Sequence, residues 1–547
     1  MWRPLRKVIA VISLTLLCAT GCQKNNDPNH HPQHLRLAIT TEPPQLDPRK
    51  MKDSTSGAMA RMFSEGLMRL DLEGRLSYGL AENYEVDASK KRYLFTLREN
   101  LKWSDGRALT AYDFEYSWKR ILDPKFLSEY AYMLFIIENA QEIKEGKLPS
   151  SALGVKVIDE RHLEVTLTNP TSYFPEMTAF YTLFPVPKDI DNEAENWAQN
   201  VGENFLSCGP FQLISWKHNS ELEFVANANY WDKEGVQISK ISVSIIHDES
   251  TILSLFENGD IDFMGVSPFA TLPVDSLPLW REKGLLNKKA VATSLWYKIN
   301  TTVPLLKNPK VRAALSMAID RDSISRNVTM GTMIPSDTML PPSMRLNNHL
   351  IPERALREKA QRLFLEGVQE EGLELNELPK LKLSLNDTEL NRRIAQAIQQ
   401  QWRENLGLDI AVESLEWKVY ISKLHKLDYE IGRMGWVADF NDPINYLEVF
   451  KYADPLKGGN NDTGWEDPRY INLLDQSSLA SDEQTRKELL AEAERVLVEA
   501  TPIILLFHYT VNWLQSPSLQ NVCITGLGQV DFKWASFSQT QRSANNP

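Results

Sequence analysis

The chain has 547 residues, of which 42% are hydrophobic and 24% charged, and its formal net charge is −12. A chain of this length forms several domains with cores of their own. Proteins that bind nucleic acids use Lys and Arg to meet phosphates, so the acidic excess excludes that class. With 25 Gly and 29 Pro, the composition also excludes collagen-like and disordered chains.

Residues 1–22 are typical of an export signal. Three Lys or Arg residues among the first seven precede an apolar run over 8–18, which is too short for a membrane-spanning helix. The run ends in Ala19-Thr20-Gly21-Cys22, which resembles a bacterial lipoprotein processing site with Cys22 as the lipidated residue. A cleaved signal with a spare cysteine is the alternative. We expect a polar tether over 23–34 and a body outside the cytoplasm, in the periplasm or on the outer face of the cell membrane, held by lipid.

Two further cysteines follow in the body of the chain, Cys208 and Cys523. In an oxidising compartment they can form a disulfide, although buried free thiols are the alternative. The spacing of two cysteines in sequence does not decide between these states, because a disulfide depends on the distance between their Cα atoms.

Strand and helix patterns alternate along the body, which predicts an α/β fold. Thr110 followed by Asp113 predicts a capping box at the start of a helix that runs through Ile121. Asn308-Pro309 predicts the start of another helix. The remaining predicted elements, in chain order, are strands at 35–39 and 93–97, a helix from 390 to about 407, a strand at 410–412, a helix over 483–500 and a buried strand at 503–507.

Sequence motifs of catalysis and of phosphate or metal binding are absent, including Gly-x-Ser-x-Gly and His-Glu-x-x-His. Asp439, Asp442 and Glu448 could supply the two carboxylates of a glycosidase, but acidic pairs are common among 72 Asp and Glu residues. We therefore expect that the protein is not an enzyme and that it binds no metal and no cofactor. The aromatic content points elsewhere, since aromatic residues beside polar groups are typical of pockets for small molecules or peptides.

Trp103-Ser104-Asp105-Gly106 and the surrounding segment 97–124 resemble the extracytoplasmic oligopeptide-binding proteins of ABC importers, solute-binding protein family 5. Further matching motifs follow the same order along the chain. They are Leu46-Asp47-Pro48, 153–167, Gly209-Pro210-Phe211, Asn229-Tyr230-Trp231, 259–262, 311–321 and 433–443. The resemblance extends over about residues 35–530.

The resemblance implies a two-lobed periplasmic-binding-protein fold, type II-like, with an extra domain and a hinge that closes around ligand. The expected domains are the signal peptide 1–22, the tether 23–34, lobe I formed by 35–66, 185–295 and 506–547, the extra domain II over 67–184, and lobe III over 296–505.

The resemblance also implies a peptide-binding site. Asp439 matches an aspartate that binds the peptide ammonium, where a charge-assisted hydrogen bond stabilises the complex by roughly 1.5–3 kcal/mol; a structural Asp that caps a turn is the alternative. Arg433 matches an arginine near the peptide carboxylate, with an inter-domain salt bridge as the alternative. Four residues match side-chain pockets, although the tryptophans could equally pack in the core: Trp436, Trp417, Trp296 and His425.

Main-chain hydrogen bonds to an extended ligand would allow sequence-tolerant binding. The segments 296–300 and 432–435 are predicted strands that could supply them. Two positions depart from the family pattern: Lys52 stands in place of a glutamate and Asn391 in place of a histidine. We expect Lys52 to favour an acidic side chain or a terminal carboxylate in the ligand. Val437 replaces a family disulfide cysteine, so Cys208 and Cys523 are not that pair.

These features together predict a non-catalytic, monomeric receptor that captures short peptides. Its partners would be the membrane permease and ATPase subunits of an ABC importer, and it would reach the membrane through its lipid anchor. Alternatives with the same fold are receptors for a muropeptide, a nickel chelate or haem. An alternative of another class is a surface lipoprotein that acts as an adhesin or a hydrolase.

Overall fold

The computed structural model describes residues 33–193, 196–199, 201–202, 205–346, 357–375, 378–453, 461–480 and 482–538. The predicted export signal, Cys22 and all but the end of the tether lie outside the described residues. No helix in the described ranges is long and apolar enough to cross a membrane.

Helices and strands alternate along the described chain, as the sequence predicts. The strands are β1 (His34–Ile39), β2 (Met68–Leu70), β3 (Leu76–Tyr78), β4 (Ala81–Val86), β5 (Arg92–Leu97), β6 (Val155–Val157), β7 (His162–Thr166), β8 (Phe211–Lys217), β9 (Glu221–Ala226), β10 (Lys240–Ile245), β11 (Phe263–Met264), β12 (Asn287–Ile299), β13 (Met333–Pro335), β14 (Leu381–Asn386), β15 (Ile410–Leu415), β16 (Ile431–Val437), β17 (Ile503–Gln515), β18 (Leu519–Gln520), β19 (Cys523–Ile524), β20 (Val530–Asp531) and β21 (Ser536–Phe537). The helices are α1 (Ser54–Phe63), α2 (Ala111–Ile121), α3 (Ala140–Lys144), α4 (Phe174–Met177), α5 (Lys188–Glu193), α6 (Glu249–Glu257), α7 (Leu277–Glu282), α8 (Pro304–Lys307), α9 (Pro309–Met317), α10 (Arg321–Asn327), α11 (Arg357–Glu370), α12 (Glu389–Leu406), α13 (Trp417–His425), α14 (Ile444–Leu447), α15 (Pro468–Leu479) and α16 (Glu483–Ala500).

One large mixed sheet runs through most of the molecule, in the order β15-β14-β16-β12-β17-β11-β1-β10-β9-β8, with β13 attached to β17. Strands β12 and β17 are 13 residues each and pair antiparallel along most of their length. Residues 293–299 of β12 also pair with β16, on one side of the sheet. Residues 514–515, at the end of β17, pair with β11 on the other side. These two strands therefore connect two sub-sheets that belong to different ends of the molecule.

The pairing of β12 with β17 is irregular between Ala290 and Ser294 and again between Leu295 and Trp296. Such irregularities bend a strand and increase its local twist. The irregular stretch lies at the junction of the two sub-sheets, where the resemblance to two-lobed proteins places a hinge.

A separate four-stranded antiparallel sheet, in the order β4-β5-β7-β6, lies within residues 81–166. It falls inside the segment 67–184 that the sequence assigns to the extra domain. The exact domain boundaries remain a prediction.

The predicted elements are confirmed, and their ends follow known capping rules. Thr110 and Asp113 form a capping box at the start of α2. The Asn308 side chain accepts a hydrogen bond from the Lys310 amide at the start of α9, and Gly407 ends α12 in the left-handed conformation. The strand predicted at 503–507 is longer than expected and extends to Gln515 as β17.

The apolar run at the start of β17 is buried on both faces of the sheet. Ile504 and Leu506 pack in one hydrophobic core, while Ile503 and Leu505 pack in another on the opposite face. A strand covered on both faces needs apolar residues at successive positions, which explains why the sequence shows no alternation here.

The possible disulfide between Cys208 and Cys523 is not formed, because both residues are buried free thiols. The Cys208 thiol lies 3.4 Å from the Ser64 hydroxyl, and the Cys523 thiol lies 3.3 Å from the carbonyl oxygen of Asp71. Burial raises the pKa of each thiol to about 12, so both are protonated at neutral pH. The alternative of buried free thiols is therefore the one observed.

The Leu46-Asp47-Pro48 motif serves a buried ion-pair network. The fully buried guanidinium of Arg49 donates to Asp47 at 2.7 Å and to Asp191 at 2.6 Å. Because Asp191 lies in α5, the network ties the start of the chain to a segment 142 positions away. A buried guanidinium is tolerable only with such partners.

Replacement of Arg49 by Met should lower the free energy of unfolding by about 3–5 kcal/mol, since it leaves two carboxylates without their shared cation. Urea denaturation at pH 7 measures this loss. Arg107→Met is the matched control: Arg107 also pairs with two aspartates but is 40% exposed, so its loss should stay within about 1 kcal/mol. Equal losses for the two variants would contradict the role given to Arg49.

Candidate functional site

Asp439 follows the end of β16 and carries an anionic charge without a cation. The Asn445 side-chain amide donates to its carboxylate at 3.5 Å, and its own backbone amide donates to the Asn445 side-chain oxygen at 3.3 Å. Among the described residues Asp439 forms no ion pair. Surrounding groups desolvate the carboxylate and raise its pKa above the ordinary value, although the hydrogen bond from Asn445 lowers it in part. A cation that entered here would gain a strong partner.

Asp439 lines a recess that five separate segments of the chain form together. We call this the Asp439 recess; its lining includes Met133, Glu176, Phe180, Asp439, Phe440 and Gln529. Phe440 stacks on Tyr173 with ring centroids 4.5 Å apart and an angle of 6°. The stacking joins the segment after β16 to the start of α4, so the recess has a fixed wall on this side.

The same asparagine that contacts Asp439 also holds Trp436. The Trp436 indole nitrogen donates to the side-chain oxygen of Asn445 at 2.7 Å. Trp436 is half-buried at the end of β16 and packs against the neighbouring core. Asn445 therefore fixes the tryptophan and the aspartate relative to each other.

Arg433 lies six positions before Asp439, within β16, and it too lacks a charged partner. Its guanidinium donates to the Tyr509 hydroxyl at 3.2 Å, and its Nε is buried without a hydrogen-bond partner among the described residues. It forms no ion pair in the described part of the chain. The salt bridge that was the alternative interpretation of Arg433 is therefore not present in this conformation.

Between Arg433 and Asp439 the main chain of β16 presents an open edge. On one side β16 pairs with β12 over residues 431–437. On the other side it pairs with β14 at Ile431 and Gly432. Across the described ranges no strand pairs with that second edge over 433–437. An extended ligand could add here as a further strand, as the sequence suggested for 432–435.

The strand predicted at 296–300 is present as the end of β12, but the expectation that it binds the ligand main chain is wrong. Strand β12 lies between β16 and β17 and pairs with both, so its edges are already occupied. Trp296 is fully buried and packs edge-on against Tyr446 and Phe450. In this conformation Trp296 is a core residue and does not line a cleft.

Two other predicted pocket residues lie on α13. Trp417 is the first residue of the helix, is 48% exposed, and has its ring 6.4 Å from that of Tyr420. His425 is the last residue of the helix, and its Nδ1 lies 3.0 Å from a carboxylate oxygen of Asp462. Both are accessible to a ligand. The Tyr420 hydroxyl donates to the Arg433 carbonyl oxygen, which connects the helix to β16.

Lys52 already has an anionic partner. Its ammonium forms an ion pair with Glu129, and both side chains are largely exposed. The hydrogen bond and charge of Glu129 raise the pKa of Lys52. An acidic ligand group would have to compete with Glu129 for this lysine, which weakens the expectation that Lys52 selects such ligands.

Asn391 is the second position that departs from the family pattern. It is buried and donates to the backbone and side-chain oxygens of Asn386.

One of the carboxylates considered for a glycosidase, that of Asp442, is bound by an arginine. Asp442 accepts two hydrogen bonds from Arg486, at 2.7 and 2.8 Å, and is buried. A carboxylate held in this way is structural. Among the described residues no group of three or more His, Cys, Asp or Glu side chains could hold a metal ion.

Sequence reasoning missed Glu176 and Arg61. Glu176 contributes to the Asp439 recess, and its Oε2 is buried without a hydrogen-bond partner among the described residues. Arg61 lines an adjoining recess. Arg61 is the single charged residue in α1, and the other residues of this helix are small or apolar apart from Ser and Thr. A lone charge in such a helix is the sequence pattern that could have indicated Arg61.

Known proteins resemble the chain over nearly its whole length. Residues 75–457 match the family model of bacterial extracellular solute-binding proteins, family 5. The oligopeptide-binding protein OppA of Bacillus subtilis is 41% identical over 507 residues, which are 92% of this chain and 92% of that protein. The fold and the match define a two-lobed α/β solute-binding protein with an extra domain. The chain belongs to the bacterial extracellular solute-binding proteins, family 5.

Two solved structures resemble the chain over nearly its whole length. The unliganded open form of the murein tripeptide binding protein MppA is 28% identical and has a TM-score of 0.84, covering 93% of this chain and 98% of that one. Listeria monocytogenes OppA bound to peptide is 27% identical and has a TM-score of 0.64, covering 93% and 100%.

Glu176 should make stability depend on pH. Burial, and then the charge of Asp442, raise its pKa from 4.5 to about 7. Folding therefore favours the protonated form, and stability is lost as the pH rises from about 4.5 through 7. We expect Glu176→Gln to be more stable than the parent protein at pH 8 by up to about 3 kcal/mol, and nearly equal to it at pH 4.5. Urea denaturation at the two pH values measures the difference; a gain that is the same at both would contradict the assignment.

Proposed function

We propose that this chain is an extracytoplasmic receptor that captures short peptides and delivers them to the permease and ATPase subunits of an ABC importer. It is monomeric, carries out no catalysis, and is anchored to the membrane by a lipid on Cys22. Membership of family 5 and 41% identity to a protein named for oligopeptide binding support the proposal. The family consists of binding proteins, and ATP would be hydrolysed by the partner complex.

The observation that carries the proposal is the unpaired carboxylate of Asp439 beside the open edge of β16. A peptide has a permanent cation at its amino end and a row of main-chain donors and acceptors behind it. Asp439 would accept hydrogen bonds from the ammonium, and the β16 edge over 433–437 would pair with the ligand main chain. Both groups recognise features that every peptide shares, which allows binding without a fixed sequence.

Arg433 would meet the opposite end of a short ligand. In a strand the Cα atoms of residues six positions apart are at most about 20 Å apart. An extended peptide therefore needs at most about six residues for its termini to contact both Asp439 and Arg433. Trp417, Trp436 and His425 would border the ligand side chains, and their mixture of aromatic surface and polar edges would accept varied residues.

A murein peptide is the second candidate cargo. The structure of MppA, a murein tripeptide binding protein, has a TM-score of 0.84 with this chain. Such a ligand also presents a free ammonium and a carboxylate, so the same residues would bind it. A nickel chelate or haem lacks the extended main chain that the β16 edge would pair with.

Blocking the peptide ammonium should remove the contribution of Asp439. We expect acetylation of the amino end of tetra-alanine to lower affinity by about 10- to 100-fold in the parent protein, since a charge-assisted hydrogen bond is lost. In Asp439→Asn the free peptide should bind more weakly, and acetylation should then change affinity less than about threefold. Isothermal titration calorimetry on the four combinations of protein and peptide gives the coupling free energy between Asp439 and the peptide ammonium directly.

Asp260→Asn is the matched control for this cycle, because Asp260 is exposed and distant in sequence from the recess. It should retain the full penalty for acetylation. If the parent protein binds free and acetylated peptides equally, Asp439 does not bind the ammonium. If it binds no peptide but retains a muropeptide, a metal chelate or haem through native mass spectrometry, the cargo assignment is wrong.

Amidation of the carboxyl end should test Arg433 in the same way. For peptides of three to six residues, amidation should lower affinity by about 10-fold or more in the parent protein. In Arg433→Gln the amide and the free acid should bind alike. A penalty for amidation that persists in Arg433→Gln would place the carboxylate elsewhere.

A further inference from the structure

Arg61 is a desolvated cation without an anionic partner. Its Nε donates to the carbonyl oxygen of Val530 at 3.4 Å. Among the described residues it has no other side-chain hydrogen bond and no ion pair. Burial lowers the pKa of this arginine to about 10, and the nearby charge of Asp531 offsets only part of the effect. Guanidinium groups in protein interiors are normally paired with carboxylates, because an isolated buried charge is costly.

The carboxylates nearest to Arg61 are committed to other partners. Asp531 binds Arg69 at 2.6 Å. Glu65 accepts from Arg69 at 2.9 Å, from the Tyr230 hydroxyl at 2.8 Å and from the Trp231 indole at 2.6 Å. Arg69 thus satisfies both carboxylates, and the surrounding structure leaves Arg61 with one long hydrogen bond to a backbone carbonyl.

Arg61 lines a recess that joins the one in front of Asp439. We call it the Arg61 recess; its lining includes Arg61, Glu65, Arg69, Thr525 and Asp531. Three residues line both recesses: Leu70, Ala179 and Gln529. The two recesses therefore adjoin, with the unpaired carboxylate of Asp439 in one and the unpaired guanidinium of Arg61 in the other.

A ligand that enters both recesses would place a cation at Asp439 and an anion at Arg61. We propose that the Arg61 recess binds the acidic side chain of the first residue of a peptide whose ammonium is bound by Asp439. This inference rests on the proposed peptide-binding function and adds a preference for peptides that begin with Glu or Asp. It also assigns to Arg61 the selection of acidic groups that the sequence suggested for Lys52.

Two peptides of equal size test the inference: Glu-Ala-Ala-Ala and Gln-Ala-Ala-Ala. The parent protein should bind the first at least 10-fold more tightly by calorimetry, because the partly buried guanidinium gains a carboxylate partner. In Arg61→Gln the two affinities should become equal, mainly through weaker binding of the Glu peptide. Arg326→Gln is the matched control, since Arg326 is exposed on α10 and lies far from the recess in the chain; it should keep the preference.

Equal affinity for both peptides in the parent protein would overturn the inference, and this result does not depend on the folding of any variant. A preference that survives in Arg61→Gln would also overturn it, as would an Arg61→Gln variant that weakens both peptides by the same factor. The last result would mean that Arg61 supports the closed conformation in general. Failure to bind either peptide would instead contradict the proposed function itself.

Discussion

The antiparallel pairing of β12 with β17 is the constraint on which the rest of the structure depends. These two strands are the connection between the sub-sheet that contains β16 and the one that contains β1. Their pairing is irregular around Ala290 and Ser294, so the connection can bend without loss of the ladder on either side. At this point His508 is buried and hydrogen-bonded by Ser294 at 2.8 Å and Ser336 at 2.7 Å. Burial lowers its pKa to about 3, so the junction carries a neutral histidine at any physiological pH.

The charges of the molecule fall into two groups that differ in how they are satisfied. Structural charges are paired: Arg49 with two aspartates, Arg69 with Glu65 and Asp531, and Lys298 with Asp462 at 2.8 Å. The candidate site residues lack ion pairs among the described residues: Asp439, Arg433 and Arg61. Arg433 and Arg61 are partly buried, and because desolvated charges without partners are costly, they mark places where a ligand would supply the missing partner. Asp439 is exposed and accessible to a ligand cation. The open edge of β16 lies between Arg433 and Asp439 and offers the main-chain bonds that a peptide needs.

Much of the fold could be predicted from the sequence because local signals agree with the final structure. The capping residues around α2, α9 and α12, and the alternation in β1 and β5, depend on neighbours within a few positions. Asp439 and Arg433 were found through a continuous motif on a single strand and its following turn. The burial of Trp296, the separation of Cys208 from Cys523 and the pairing of Lys52 with Glu129 depend on residues distant in sequence. No local pattern indicates them.

Arg61 and Glu176 illustrate the same limit within the site. Arg61 lacks an ionic partner because Arg69 binds the carboxylates of Glu65 and Asp531. Arg69 and Asp531 are 462 positions apart in the sequence. Glu176 becomes notable because α4 and the segment after β16 are stacked together by Tyr173 and Phe440. Both effects follow from the packing of the extra domain against the two lobes, which the order of elements along the chain does not specify.

The central claim is that this receptor closes around a peptide. Small-angle X-ray scattering of the protein with and without a saturating pool of tripeptides to pentapeptides measures this most directly. The account predicts that the radius of gyration falls on addition of the pool and that the scattering curve changes from that of an open two-lobed protein to that of a closed one. Peptide binding that leaves the curve unchanged, or closure that requires no peptide, would contradict it.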